Sequence, residues 1–327
     1  MNARDNSGQV LKYASGYHAP VLCKAVIQGL VTKPDGTYVD GTLGGGGHTA
    51  AMLEELGSEG NVIAIDRDDD AIAETSKRLA IDMDSGRLRI LKGNFSEILS
   101  LLEDAGIEKI DGLLLDLGVS SHQLDVAERG FSHRMSGPLD MRMDRSAGMP
   151  ADELINTAQF HELANLLRRF GEEPRAGRIA KEIVAARPFA TTENLAELIR
   201  SITPHAKVSK TLSRVFQALR IAVNGELEAL DQVLLDSRDV LTEGGRLAVI
   251  SYHSLEDRQV KRFMRSGNFD GKVERDFYGN KISPWNEITR KPISADETEI
   301  EANPRSRSAR LRIAERIKDS DNTLKAE

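Results

Sequence analysis

At 327 residues the chain can hold one large domain or a domain with a smaller one inserted, and 40% hydrophobic residues suffice for a buried core. No apolar run approaches the ~20 residues of a membrane helix, the start MNARDNSGQVLKYAS lacks the apolar core of a signal peptide, and one cysteine, Cys23, excludes an intrachain disulfide or a multi-cysteine metal site. The expectation is a cytoplasmic protein, whose net charge of −7 argues at face value against a nucleic-acid partner.

An apolar helix over 20–30, carrying Cys23, precedes the first of four strand-like runs at 38–41, 62–66, 88–92 and 112–116. Helical patterns fill the gaps, for instance Thr49 to Leu56 and Asp69 to Ile81. This alternation predicts a parallel sheet with helices on both faces, which binds ligand at the carboxyl ends of its strands. Asp40, Asp66 and Asp116 all fall at such ends. After the first strand come four glycines, Gly44 to Gly47, at a strand-to-helix turn where backbone amides can approach a nucleotide-like ligand.

The rhythm breaks after Ser121. From about Asp125 to Lys210 the pattern is loop and helices, with Asn156-Thr157 read as a cap for a helix bearing Phe160, Leu163, Leu167 and Phe170. A second helix spans Arg175 to Ala186, and Thr192 is read as the cap of a third. The expected organisation is a sheet domain in two parts, 1–124 and 211–318, an inserted all-helical domain over 125–210, and a frayed tail at 319–327. Thr211 to Leu241 reads as one long helix or two, broken at Asn224-Gly225, before a strand over 246–252. Near the end, Ala309, Leu311 and Ile313 alternate with Arg310 and Arg312, a strand expected to pair with residues 286–293 as an antiparallel hairpin.

Charge is unevenly spread. Basic residues outnumber acidic ones between Asp125 and Arg220, and further clusters occur over Arg258–Arg265 and Arg305–Arg312. Such stripes hold phosphates on an acidic protein, or are solvated helix faces and a strand edge. In the insertion, Arg168, Arg169, Arg175, Arg178 and Lys181 are the candidates to face phosphate. At 5% aromatic residues, a stacking platform for single strands is not expected.

Three ligand classes suit a glycine turn. A phosphate-cradling loop needs lysine after its glycines, and His48-Thr49 stand there instead. Gly45, Gly47 and Ala50 satisfy a loose dinucleotide pattern, but nothing downstream serves a hydride acceptor. S-adenosylmethionine carries no phosphate, and its ammonium and ribose hydroxyls suit strand-end acids: Asp40 or Asp116 for the ammonium, Asp66 for the ribose. Asp40-x-x-x-Gly44-x-Gly46 resembles the first motif of class I methyltransferases, departing from it at Thr42.

Longer segments resemble one family in order, from about Tyr17 to Arg316. They include His18-Ala19-Pro20-Val21-Leu22, Ile65-Asp66-Arg67-Asp68, Asp116-Leu117-Gly118-Val119-Ser120-Ser121-His122-Gln123-Leu124-Asp125, Arg187-Pro188-Phe189, Phe216-Gln217-Ala218-Leu219-Arg220-Ile221, Ile250-Ser251-Tyr252-His253-Ser254-Leu255-Glu256-Asp257 and Asn303-Pro304-Arg305-Ser306-Arg307-Ser308. The chain is similar to the MraW family of small-subunit ribosomal RNA methyltransferases. The resemblance implies a class I, Rossmann-like α/β fold with a mostly parallel seven-stranded sheet and an inserted helical domain. It implies methylation of the N4 amine of a cytidine in the decoding region of 16S rRNA, within the small ribosomal subunit. No obligate protein partner is evident in the sequence, and monomer and dimer both stay open. Carried over by motif, the cofactor residues are Gly46, Gly47, His48, Asp66, Phe95, Asp116 and Gln123. A nicotinamide-dependent oxidoreductase and a non-catalytic ribosome-assembly factor are the rival readings.

For the chemistry, the Asp116–Ser121 turn and Ser251–Ser254 are the expected pocket walls. Ser120, Ser121, His253 and Ser254 are the substrate candidates, and no catalytic residue is assigned. Methylation at pyrimidine C5 normally needs a cysteine nucleophile, and Cys23 reads as plain core, which favours an amine or hydroxyl target. His253 is either a pocket residue or a structural one. His48 is expected to act through its backbone at a helix start. Asp40 either meets the ligand or caps the glycine turn. The scattered histidines give no metal motif.

Overall fold

The structure, a computed structural model, describes Tyr13, residues 20–279 and residues 281–317. The expected tail at 319–327, His18 and Ala19 lie outside the described residues. The chain divides into two compact units, one from residues 1–118 and 229–327, the other from residues 119–228.

The first unit is built on a seven-stranded sheet. Its strands are β1 (Thr37–Asp40), β2 (Asn61–Asp66), β3 (Leu88–Lys92), β4 (Ile110–Asp116), β5 (Leu241–Ser251), β8 (Trp285–Glu287) and β9 (Arg310–Arg316), and β6 (Glu274–Arg275) and β7 (Lys281–Ile282) form a separate hairpin. The order is β3-β2-β1-β4-β5-β9-β8. Pairing is parallel from β3 to β5, and β9 runs antiparallel to both β5 and β8. The expected terminal hairpin is shorter than residues 286–293: β8 supplies three residues, and Ile293 makes an isolated bridge to Leu311. Two short helical segments, Glu297–Ala302 and Pro304–Ser308, intervene before β9.

Alternation along the strands splits the core into two layers. Val39, Ile63, Ile65, Leu113, Leu115, Leu247 and Val249 belong to one cluster, with Ile98, Leu102, Leu230, Val233, Leu234, Val260 and Phe263 from the covering helices. Tyr38, Val62, Ala64, Leu114, Ala248 and Ile250 belong to the other, with Val26, Leu30, Met52 and Leu53. Both faces of the central strands are therefore dry, which is why they read as continuous apolar runs. The order reverses between β1 and β4, the switch point at which a crevice opens beyond the strand ends.

The second unit is helical, with Ala151–Thr157, Phe160–Arg169, Ala176–Ala186, Thr192–Ser201 and Val208–Asn224 as its main helices. Its bounds are wider than 125–210 because Leu212, Val215, Phe216, Ala218 and Leu219 of the last helix join its core, as do Val119 and Leu124 before it. Asn156 is not a cap. Its amide is spent on both backbone groups of Phe189, donating to the carbonyl at 2.7 Å and accepting from the N–H at 2.8 Å. Gln159 caps the helix Phe160–Arg169 instead, in a reciprocal box with Glu162, and Thr191 rather than Thr192 caps the helix Thr192–Ser201. The break at Gly225 is as expected: it adopts φ 59°, a left-handed conformation that ends the helix Val208–Asn224.

Candidate active site

Every acid that ends a parallel strand is committed to the loop network around the switch point. Asp40, at the end of β1, is almost fully buried and accepts from the Thr42 N–H at 3.1 Å and the Thr49 hydroxyl at 2.7 Å. Burial raises its pKa, opposed by His48 and by these donors. Of its two readings, the geometry favours the cap: both carboxylate oxygens serve the glycine turn.

Asp66, at the end of β2, accepts from Gly44 N–H at 2.8 Å and Asp68 N–H at 2.9 Å, one on each oxygen. It is half-buried, so lone pairs remain for a ligand's hydroxyls. Burial pushes its carboxyl up to about 6, against the two N–H donors that pull it down.

The glycine turn is held from outside by the helix Asp69–Arg78. The Thr75 hydroxyl donates to Gly44 O at 3.0 Å, and Arg78 donates to Gly45 O. Gly46 has φ 67°, and a Cβ there would lie 2.5 Å from Thr75 Cγ2. Gly47 opens the helix Gly47–Glu55, and a Cβ on it would lie 2.8 Å from the Pro20 ring. These two glycines are thus required by conformation and by close packing. Phe95, half-buried, begins a short 3-10 turn after β3, and its Cβ would lie 3.4 Å from a Cβ added to Gly41. Its backbone thus lies beside the end of β1, and its side chain packs on the core layer that holds Val39 and Ile63.

Asp116 ends β4. Its N–H donates to the Thr42 hydroxyl at 2.7 Å, so the residue that departs from the common glycine motif ties the β1 turn to the β4 end. The Tyr252 hydroxyl donates to Asp116 Oδ1 at 2.8 Å, and His48 Nδ1 lies 3.7 Å from Oδ2. Burial first, and then the Asp116 charge, raise the Tyr252 pKa well above its ordinary value, so the phenol stays a donor. The expectation for His48 needs correcting: its imidazole is used as well as its backbone. It is buried, with Nε2 2.9 Å from Val21 O, and since a carbonyl only accepts, that nitrogen carries the proton.

The remaining candidates divide between the units. Ser120, Ser121 and Gln123 lie in the second unit, where Ser120 Oγ accepts from Gln123 N–H and Gln123 Oε1 accepts from Ser120 N–H, each at 3.1 Å. This capping box closes the helix Ser121–Asp125. His253 caps the helix Ser254–Ser266: its Nδ1 accepts from Glu256 N–H at 3.4 Å, and Glu256 accepts from the backbone of Tyr252 and His253. Ser254, exposed, is the first residue of that helix. His253 thus has a structural task that the sequence left as one of two options. Cys23 is half-buried, and burial and then Glu299 push its thiol up to about 12, the opposite of an activated nucleophile. Sequence reasoning missed Thr42, Thr75 and Arg78 as supports of the site, and held Tyr252 only as part of the wall Ser251–Ser254, without its bond to Asp116. Only Thr75 and Arg78 left a signal, three apart on one face of the helix after β2.

A parallel sheet with an antiparallel final strand, a glycine turn at its switch point and acids at its strand ends define a class I methyltransferase. A sequence model of the MraW methylase family matches residues 15–317. The chain belongs to that family, which decides against the nicotinamide reading. It is 47% identical over 306 residues to ribosomal RNA small subunit methyltransferase H of Amoebophilus asiaticus, covering 93% of this chain and 97% of the relative. The corresponding protein of Bacteroides thetaiotaomicron is 45% identical, covering 92% and 97%, and that of Chlorobium limicola 48%, covering 92% and 98%.

S-adenosylmethionine is the cofactor of such an enzyme, and the residues fit it. The turn offers backbone without lysine, Asp66 keeps acceptor capacity for hydroxyls, Phe95 follows the end of β3, and the Asp116 carboxylate accepts from the Tyr252 hydroxyl while its backbone is tied to Thr42.

Proposed function

We propose that the chain methylates the N4 amine of a cytidine in the decoding region of 16S rRNA, with the small ribosomal subunit as substrate. The observation that carries the rRNA assignment is the near full-length match to relatives named for small-subunit rRNA methylation. The chain's own chemistry supports an amine or hydroxyl over a ring carbon as target: its one cysteine is held as a neutral thiol, so the covalent route to pyrimidine C5 has no nucleophile.

When bound, S-adenosylmethionine supplies a methyl group already activated on sulfur, so the task of the chain is positioning for in-line attack. In this reading Gly46, Gly47 and the His48 backbone form the bed for the cofactor, Asp66 accepts from its ribose, Phe95 covers its adenine, and Gln123 completes the set. Asp116 faces the ammonium end. Its orientation is set by Tyr252 on one oxygen, and its backbone is pinned by Thr42. The amine of cytosine is a poor nucleophile because its lone pair is delocalised into the ring. Acceptors aimed at its N–H bonds localise that pair; His253 and Ser254 are the candidates in the sheet-bearing unit, and Ser120 and Ser121 those in the helical one. The target base leaves its stack to reach the methyl group.

Purified protein, labelled cofactor and small subunits lacking the modification should give label in rRNA, and mass spectrometry of the digested nucleosides should place it on a cytidine amine. Label confined to protein, or on a carbon or ribose oxygen, rejects the reading.

A further inference from the structure

The helix Ser254–Ser266 begins at the rim, capped by His253, and runs away from it for about 20 Å at 1.5 Å per residue. Its inner face is Glu256, Asp257, Val260, Phe263, Met264 and Ser266, all buried. Its outer face carries Arg258, Lys261, Arg262 and Arg265, all exposed, at the i, i+3, i+4, i+7 spacing of a single stripe. Both acids of the helix lie on the buried side. Among the described residues Lys261, Arg262 and Arg265 form no ion pair. Only Arg265 sits in the last turn, so the helix dipole accounts for one of the four cations.

An arm leaves the far end of this helix. Phe269 stacks on Phe263 at 5.4 Å between ring centroids, and Trp285 packs against the same ring at 5.8 Å, so both feet of the arm are rooted in the core. Between them β6 and β7 pair as a short hairpin. Near its turn Phe277 is 97% and Tyr278 86% exposed, touching each other edge to face at 5.6 Å. Two neighbouring aromatic rings left wholly in water stabilise nothing in the fold. Arg262 lies against Gly271 at the start of the arm, so the stripe leads up to it.

We propose that the exposed basic face of Ser254–Ser266 and the Phe277-Tyr278 tip form an rRNA-binding arm of the sheet-bearing unit, the cations taking backbone phosphates and the rings stacking on a base. This rests on the reading of rRNA as substrate. Phosphate is the ligand that fits a one-sign stripe beginning at the reaction site, and a base is the flat partner that fits adjacent free rings. The arm answers how a chain of net charge −7 engages a polyanion: the attraction is local. It departs from the expectation drawn from low aromatic content, since two neighbouring rings are enough to stack on one base.

The test compares the full chain with K261Q/R262Q/R265Q and F277A/Y278A, all at exposed positions. Binding is measured without cofactor to deproteinised 16S rRNA and to intact small subunits over a salt series. Losing three phosphate contacts should flatten the slope of log K against log salt by about 2 to 3. Losing the rings should weaken binding by about fivefold or more at every salt while leaving the slope unchanged. In turnover, KM for subunits should rise in both variants, with kcat and cofactor affinity kept. Parent-like affinity and slope on deproteinised rRNA overturn the arm. Loss on intact subunits alone assigns the surface to a ribosomal protein and overturns it equally. Should the parent bind rRNA yet methylate none of it, the methylation reading falls, and the binding comparison still decides the arm.

Discussion

Tyr252 and Asp66 show how single side chains set the chemistry of the rim. The Tyr252 hydroxyl is one donor to Asp116, and a hydrogen bond to a charged acceptor is worth about 1.5–3 kcal/mol. Tyr252→Phe keeps the ring and removes that donor, so the catalytic efficiency for S-adenosylmethionine should fall by about tenfold or more and the melting temperature by several degrees. Parent-like kinetics in the Phe variant would remove Tyr252 from the site. Asp66, pushed up to about 6 by burial, accepts on both oxygens only when ionised, and a neutral carboxyl is the weaker acceptor. Cofactor affinity measured by calorimetry should therefore fall as pH drops through about 6. The stability of the cofactor-free protein moves oppositely: a raised carboxyl pKa gives a stabilising contribution at low pH that is lost as pH rises through about 6. Asp66→Asn should bind weakly at all pH values and lose both trends; a parent-like pH profile of binding in that variant sinks the assignment. The strand-end acids and glycines were readable in sequence because their chemistry is tied to a local turn. Thr42 and Tyr252 were not, since their partners lie 74 and 136 residues away.

At the scale of elements, the helix Ser254–Ser266 is strapped to β9 by a buried ion cluster. Asp257 accepts from Arg312 Nε at 2.8 Å and from Arg310 Nη1 at 3.1 Å. Burial alone would raise the Asp257 carboxyl, but the hydrogen bonds and charges of Arg312 and Arg310 outweigh it and hold the pKa below the ordinary value. Asp257→Asn leaves Arg312 buried without its counter-charge and should cost about 3–5 kcal/mol in denaturant unfolding. The sign follows from the depressed pKa: the stabilisation is present above the ordinary carboxyl value of about 4 and is lost as pH falls below it. The variant's stability should be flatter in that acid range, and a loss under about 1 kcal/mol would show that the strap is not a structural anchor. The strand runs were legible because both sheet faces are dry and each run is apolar throughout. Helix starts in the second unit were less so. Asn156 has the right chemistry for a cap, yet a contact 33 residues away claims its amide. Helix caps are local signals that tertiary hydrogen bonds can override.

At the scale of the whole chain, the two units carry their own apolar clusters. One holds Leu163, Ile179, Ile183, Leu195, Val215 and their neighbours, and the sheet's two layers hold the rest. Sequence rhythm found the insertion but placed its end early, because the amphipathic helix Val208–Asn224 presents the same pattern whichever core receives it. Ligand binding then offers a way to read the units apart. Of the candidate cofactor residues, the glycine turn, Asp66, Phe95 and Asp116 belong to the sheet-bearing unit and only Gln123 to the helical one. A ligand that binds only folded protein at a hundred times its Kd stabilises by about 2.7 kcal/mol. For a unit of about two hundred residues that shifts the midpoint by roughly 5–10 °C. Scanning calorimetry should therefore show two transitions, with S-adenosylmethionine raising the one that carries the sheet and moving the helical one by much less. A single transition that shifts as a whole would show instead that the two cores unfold as one cooperative body.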